Sequence, residues 1–434
     1  MRPITRRAVL GGLLASPLLA ACAGFDTSGA AAPGTVGFLS TQFTPVEERQ
    51  RYERVLRSTL AVPVAYNPVE GGVFTTTIKS QAQAHNVRTA LIGGLYNDLA
   101  PLADAFDDVG ALLRDLGGAA GYPDAILKLT TLGGTVPKFV PWMQATYIVA
   151  VNKQALQWLP PGADVRELTY DQYLAWARAA QAAAGRPVFG IPAGPKGLFY
   201  RFTQGYLLPS FTGGQVTTFR GADAEAAWTY MTQLWAATAP ASTNYEYMQE
   251  PLARGEVLVA WDHVARLVGA TKEKPDDWLM VPAPRGPKGR GYMLILAGVA
   301  LPKGGIERAA AERVIRGMAA PAMQVETLRQ NAFFPVTSAK LPGDLPAGIS
   351  GEAAAVAAQA GSRDAILSLP PVGLGTRDAQ VGQVFKDCFR EICLNRQPVR
   401  QVLDEQAGRL SALLAAAKVP CWSPDPAAPV CAVA

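Results

Sequence analysis

Apolar residues along this chain fall into two arrangements: short dense runs, and longer stretches where they recur every three or four positions. The dense runs lie at 36–39, 62–66, 89–93, 147–152, 256–261 and 291–302, and each predicts a buried strand. The helical spacing predicts helices over 44–60, 169–184, 222–237, 379–394 and 397–417, with a helical pair over 308–331. Local signals set some of the ends. Thr44 reads as a cap with Pro45 just inside and Glu47 and Glu48 in the first turn, while Thr169 caps the next helix and Gly185 stops it. Residues 94–98 read as a loop, and so does the stretch around Trp142. Strands alternating with helices predict an α/β fold with helices covering a sheet. The strands at 147–152 and 291–301 come deep inside the chain, each followed by a new set of helices. Two lobes joined by more than one crossover would give that order.

The N-terminus has a different texture. Thr5-Arg6-Arg7 forms a basic start of twin-arginine type, residues 11–19 form an apolar core, and Leu19-Ala20-Ala21-Cys22 closes it. A membrane-spanning helix needs about 20 apolar residues, so this segment predicts a signal peptide, leaving export by the twin-arginine or the general route open. Small residues before a cysteine resemble the lipobox of bacterial lipoproteins, in which the chain is cut before the cysteine, here Cys22, and that residue is acylated. The alternative is an ordinary cleaved signal with a chance cysteine. One acyl chain anchors only marginally, at about 10⁴ M⁻¹, whereas several hold a protein on a membrane. Residues 23–34, rich in Ala, Gly and Ser, predict a flexible spacer.

Composition narrows the function classes. The 434 residues are 49% hydrophobic and 17% charged, which suits one or two well-packed domains. The net charge of +5 is dispersed, and nucleic-acid binding would want a concentrated basic stripe. No Gly-x-x-x-x-Gly-Lys-Ser/Thr loop occurs, so any ATP use belongs to a partner. Besides Cys22 there are Cys388, Cys393, Cys421 and Cys431. In an oxidising compartment they predict two disulfides with three possible connectivities. Cys421 and Cys431 could staple the Pro-rich tail, while Cys388 and Cys393, five apart on a helix, make an awkward pair, so cross-pairs with the tail compete. Zinc spacing is absent, and no metal or cofactor is expected.

Several short stretches, in order, resemble the extracellular solute-binding proteins of ABC importers, in the sugar-binding group that includes maltose-binding protein. Pro141-Trp142 followed by the run from Tyr147 to Asn152-Lys153 is similar to the family's proline, loop and strand ending Tyr-Asn-Lys, with Val151 in place of the tyrosine. Residues 252–262, 282–302, 310–335 and 397–414 resemble the later segments. The resemblance implies a two-lobed, type II periplasmic-binding-protein-like fold with hinge crossovers and a ligand cleft between lobes. The implied boundaries are a signal at 1–21, a tether at 22–34, one lobe at 35–146 plus 293–350, a second at 147–292 plus 351–420, and a tail at 421–434. It further implies a monomer, lipid-anchored outside the cytoplasm, that delivers a sugar or oligosaccharide to membrane permease subunits.

Sugars present hydroxyls and apolar ring faces, so a sugar cleft wants aromatic platforms beside Asp, Asn, Gln or Arg. Ligands in open α/β sheets sit outside the carboxyl ends of strands. On that basis Gln42 (with Thr41), Asn97 and Asp98 (with Tyr96), Trp142 with Gln144, and Trp261 with Asp262 are the leading candidates. Trp142 leads, because an exposed loop tryptophan costs solubility unless it binds something. Tyr200 (with Phe199), Tyr292 and Phe334 follow. Structural alternatives are a turn for Asn97 and Asp98, core packing for Trp261 and Tyr292, and a helix cap for Asp262. His85 and His263 read as structural or exposed.

A secreted glycoside hydrolase is the rival reading, resting on Asp98 and Asp262 as a carboxylate pair. A receptor for another solute is the second rival. Iron would need clustered Tyr and His, whereas Tyr245 and Tyr247 are not adjacent; a polyamine would need several carboxylates, and an amino acid an Arg–Asp clamp.

Overall fold

The computed structural model describes residues 34–433 except 272–273, 338–339 and 375–376. The signal segment, Cys22 and nearly all of the spacer lie outside the described residues.

Two sheets carry the two lobes. The first contains β1 (Val36–Ser40), β2 (Val64–Pro68), β3 (Leu91–Leu95), β4 (Val140–Ala145) and, from later in the chain, the strand Ile295–Ala300. The second is built from β5 (Tyr147–Asn152), β6 (Phe189–Gly190), β7 (Val259–His263) and β8 (Trp278–Val281), in the order β6-β7-β5-β8. Residues 291–302, expected as one long strand, form two: β9 (Arg290–Met293) and β10 (Ile295–Ala300), broken at Leu294. The break is imposed by partners. β9 pairs in parallel with β11 (Ala365–Ser368), whereas β10 runs antiparallel between β3 and β4, completing the order β2-β1-β3-β10-β4.

Single residues link strands of different sheets at Thr146, between β4 and β5, and at Leu294, between β9 of the two-stranded β9–β11 sheet and β10 of the first sheet. A third passage runs beside them. Gln144 and Phe334 exchange both backbone hydrogen bonds, at 3.0 and 2.7 Å, and the chain then leads to the helix Ala347–Ala360, which packs on β8.

Local chemistry sets the helix ends. The helix Tyr170–Ala184 opens with reciprocal capping between Thr169 and Gln172 and closes at Gly185 in the left-handed region. The first helix, Val46–Thr59, takes Pro45 as its cap residue instead of Thr44. Residues 94–98 differ from the expected loop: Tyr96–Leu99 is a short helix whose third residue, Asp98, accepts from the Leu95 amide at its start. Likewise β7 extends past Trp261 to include Asp262 and His263, because both pair with β5, Asp262 opposite Ile148 and His263 opposite Tyr147.

Cys421 and Cys431 form a disulfide, and Cys388 and Cys393 are buried, reduced thiols. The cross-pairs are excluded because the latter two lie inside the packed helical layer of the second lobe. The stapled tail is docked: the Asp425 carboxylate accepts from the amides of Gln215, Val216 and Thr217 at 2.8–3.1 Å, and Ser423 donates to the Leu367 carbonyl of β11 at 2.6 Å.

Candidate functional site

The carboxyl ends of β1 and β3 lie side by side in the first sheet, because the two strands pair in parallel. The residues that follow them form the first lobe's contribution. Thr41 donates to Asp98 Oδ2 at 2.7 Å, Gln42 Nε2 donates to Thr41 Oγ1 at 2.9 Å, and the Tyr66 hydroxyl donates to the Gln42 carbonyl at 2.6 Å. Burial pushes the Asp98 carboxyl above the usual carboxylate range, the Thr41 and Leu95 hydrogen bonds pull it back, and the Asp378 charge on the second lobe raises it again. Asn97 Oδ1 is buried and has no hydrogen-bond partner.

Across from this group the second lobe supplies Tyr200, Arg201 and Asp378. The Arg201 guanidinium lies 4.9 Å from the Tyr200 ring centroid and donates to Gln204 Oε1 at 3.4 Å. Lys386 Nζ approaches the same ring at 5.2 Å. Burial raises Asp378 and the Arg201 charge opposes the rise. At the hinge end, a file of rings runs from one lobe to the other. Phe43 meets Phe333 at 5.3 Å, Phe333 meets His263 at 5.9 Å, and His263 meets Tyr147 edge-on at 5.1 Å. Burial, assisted by the Arg266 charge, drives the His263 imidazole down to about 3, so the ring is neutral. Arg266 lies 4.2 Å over the Tyr247 ring, and its charge reaches Glu48 on the first lobe.

Three of the leading candidates belong elsewhere. Trp142 is neither exposed nor in a loop: it sits in β4 at 1% exposure, with Phe38 and Tyr52 both at 5.4 Å and Phe43 at 6.1 Å. Its partners come from β1, the turn after it and the first helix, so its role is to fill the first lobe's core. Trp261 is equally buried, stacked on Tyr147 at 4.7 Å with 7° between the planes. Asp262 is fully buried and committed to backbone, accepting from the amides of Met248 at 2.8 Å and His263 at 2.7 Å. Burial pushes its carboxyl up to about 6, against Arg266 and those amides.

The remaining candidates divide into two places. Gln42, Asn97, Asp98 and Tyr200 belong to the group just described. Gln144, Tyr292 and Phe334 line a separate apolar cavity of about 260 Å³ with Ile126, Leu294 and Val356. That cavity borders the outer edge of β4, whereas β3 and β1 lie on the other side of β10. Gln144 Nε2 is moreover tied to the Pro335 carbonyl at 2.7 Å.

Sequence reasoning missed Arg201, Asp378, Arg266 and Phe333, whose significance depends on tertiary neighbours. His263 sits at the same strand end as Asp262, but a lone histidine reads as structural or exposed, and its neighbours Phe333 and Tyr147 come from elsewhere in the chain. No group of three His, Cys, Asp or Glu side chains that could hold a metal ion occurs among the described residues, and no helix among them is long and apolar enough to cross a membrane.

The sequence matches the family model for bacterial extracellular solute-binding proteins over residues 61–325. The chain belongs to that family. No curated protein matches it in sequence. Among solved structures, the sugar-binding protein MalE from Xanthomonas citri matches with a TM-score of 0.69 at 15% identity, over 88% of this chain and 98% of that one. Maltose-bound MalE3 from T. maritima matches at 0.66 and 18%, over 88% and 100%. UgpB from Mycobacterium tuberculosis, in complex with glycerophosphocholine, matches at 0.66 and 17%, over 89% and 100%. At these identities the likeness establishes the two-lobed fold of this solute-binding chain.

Proposed function

We propose that the protein is a lipid-anchored extracytoplasmic receptor that binds a sugar or oligosaccharide between its lobes and delivers it to an ABC permease. The observation that carries this reading is the pairing of polar strand-end groups from both lobes. Thr41, Gln42, Asn97 and Asp98 stand on one side and Tyr200, Arg201 and Asp378 on the other, with Asp98 and Asp378 within electrostatic reach. Such a set offers donors, acceptors and an aromatic face to a hydroxylated ligand. Buried acceptors without partners, such as Asn97 Oδ1 and Asp378 Oδ1, want hydrogens from a ligand. A ligand touching both sides favours the closed arrangement, by rotation about the connections at Thr146 and Leu294.

The rival hydrolase loses its carboxylate pair, since both oxygens of Asp262 are engaged by amides inside the second lobe. In this reading the lobes part at 146 and at 293–294, where β4 gives way to β5 and β9 to β10. Calorimetric titration with mono-, di- and trisaccharides tests the proposal. We expect at least one sugar to bind in the micromolar range, about −8 kcal/mol. A folded protein that binds none of them ends the sugar-receptor reading.

A further inference from the structure

We infer that the cleft selects an uncharged hydroxylated ligand over anions, and that His263 is a specificity-determining residue at its hinge end, donating to the ligand through Nε2. The inference rests on the sugar-receptor reading above and sharpens its ligand class.

Position comes first. His263 is the last residue of β7 and lies opposite Tyr147, the first residue of β5 after the crossover. Its ring touches Phe333, which in turn touches Phe43, the residue three beyond the end of β1. His263 thus stands where the strand ends of the two sheets meet.

The protonation pattern follows from geometry. The Ala265 amide donates to His263 Nδ1 at 3.2 Å, so Nδ1 carries a lone pair and the ring proton is on Nε2. No hydrogen bond joins Nε2 to a described residue, which leaves one donor on the ring edge away from the helix Val264–Thr271. Burial and the nearby Arg266 charge both disfavour a second proton, so this donor brings no positive charge.

The two arginines Arg201 and Arg266 lie near carboxylates, whereas Lys386 has only neutral partners. Arg201 has Asp378 and the Tyr200 ring; Arg266 has Asp262 at 3.7 Å, the Tyr247 ring and Glu48. Lys386 has the Tyr200 ring and the Pro195 carbonyl. Asp98, in contrast, accepts only from the neutral Thr41 hydroxyl and Leu95 amide. A phosphate or carboxylate entering here sheds water, competes with Asp378 and Asp262 for the two arginines, and meets Asp98 and Asp378 as like charges. A hydroxyl can accept from Nε2–H and donate to the carboxylates.

The test pairs neutral sugars with charged counterparts: glucose with glucuronate, galactose with galacturonate, and maltose with maltobionate. Each is titrated calorimetrically into the wild type, His263→Gln and His263→Phe, and the imidazole is followed by ¹⁵N NMR. We expect the Nε2–H tautomer at pH 6–8, with its signal moving on saturation by a bound neutral sugar. The charged partner should bind at least about 100-fold more weakly. His263→Phe should lose about tenfold in affinity, one hydrogen bond's worth, and His263→Gln should recover part of it. An Nδ1–H tautomer, a charged sugar binding as tightly as its neutral partner, or unchanged affinity in His263→Phe overturns this inference while leaving a sugar receptor standing. Failure of every sugar to bind the folded wild type overturns both.

Discussion

The Tyr206 hydroxyl meets both the amide and the carbonyl of Tyr147, at 2.9 Å each, immediately after the chain crosses from the first lobe to the second. It also contacts Thr146 Oγ1 at 2.9 Å. Thr146 in turn donates to the Met293 carbonyl at 2.7 Å, and Gln359 Nε2 reaches Thr146 Oγ1 and the Tyr147 carbonyl at 3.2 and 3.1 Å. Every one of these partners belongs to the second sheet's side or to β9. Tyr206 is aimed here by a widened π turn over Thr203–Leu207, a local irregularity of the kind found where a helix serves a function. In the closure proposed above, Thr146 would move with the second lobe, and bending would fall on its N-terminal side.

Replacing Tyr206 with Phe leaves the buried Tyr147 amide without an acceptor. The expected loss is about 1–3 kcal/mol in urea denaturation. The distribution of interlobe distances, read by double electron–electron resonance between spin labels on the two lobes, should also broaden. An unchanged distribution removes the clamp from the hinge.

Trp142→Ala should act as a core truncation. Removing a fully enclosed indole costs about 3–5 kcal/mol, visible as a lower denaturation midpoint. In protein that remains folded, ligand affinity should change far less than stability. A stable variant that has lost binding would return Trp142 to the cleft.

Asp262 and His263 pull the pH dependence of stability in opposite directions. The native Asp262 carboxyl keeps its proton up to about 6 while the unfolded chain releases it near 3.8, so this group makes stability fall as pH rises through that interval. The unfolded His263 binds a proton below 6.5, whereas the native ring waits until about 3, so this group makes stability rise with pH. His263→Gln removes the second contribution. Relative to wild type, its stability should decline by about 2 kcal/mol between pH 4 and pH 6. Parallel profiles for the two proteins, from chemical denaturation at several pH values, would falsify the assignment.

Asp425→Ala strips the acceptor from the amides of residues 215–217. We expect about 2 kcal/mol of destabilisation and cleavage between residues 419 and 431 in limited proteolysis. A tail as resistant as in the wild type argues against docking by Asp425.

Cys22→Ser should abolish incorporation of labelled palmitate in cells and shift the protein from the membrane to the soluble extracytoplasmic fraction. Continued labelling would mean that Cys22 is not the acylated residue.

Where the determinants of structure are local, the sequence was readable to the residue. β5 was legible because an apolar run ends at Asn152, and the helix Tyr170–Ala184 because Thr169 and Gly185 mark it. The break at Leu294 was not, since the residues on either side are equally apolar and only their partners, β11 on one hand and β3 and β4 on the other, differ. Trp142 was misplaced for the same reason: Phe38 and Tyr52, which enclose it, lie far upstream. Strand-end reasoning offers Gln42, Asn97 and Asp98 as candidates for the proposed site, with Tyr200 added as an aromatic outside that reasoning. It could not select Arg201 or Asp378, whose place in the proposed site depends on their electrostatic reach to one another and to Asp98. Asp262 was found with its alternative attached, and the backbone amides favour the alternative.

Cys388 and Cys393 have thiols pushed upward by burial, Cys393 to about 12, so neither supplies thiolate at neutral pH. Reactivity toward an electrophile requires that ion. A single cysteine engineered onto the surface of the mature soluble form should consequently take a maleimide dye selectively, without prior removal of these two. The same shielding bears on maturation: once the second lobe has packed, oxidising enzymes find only Cys421 and Cys431 to join among the described cysteines.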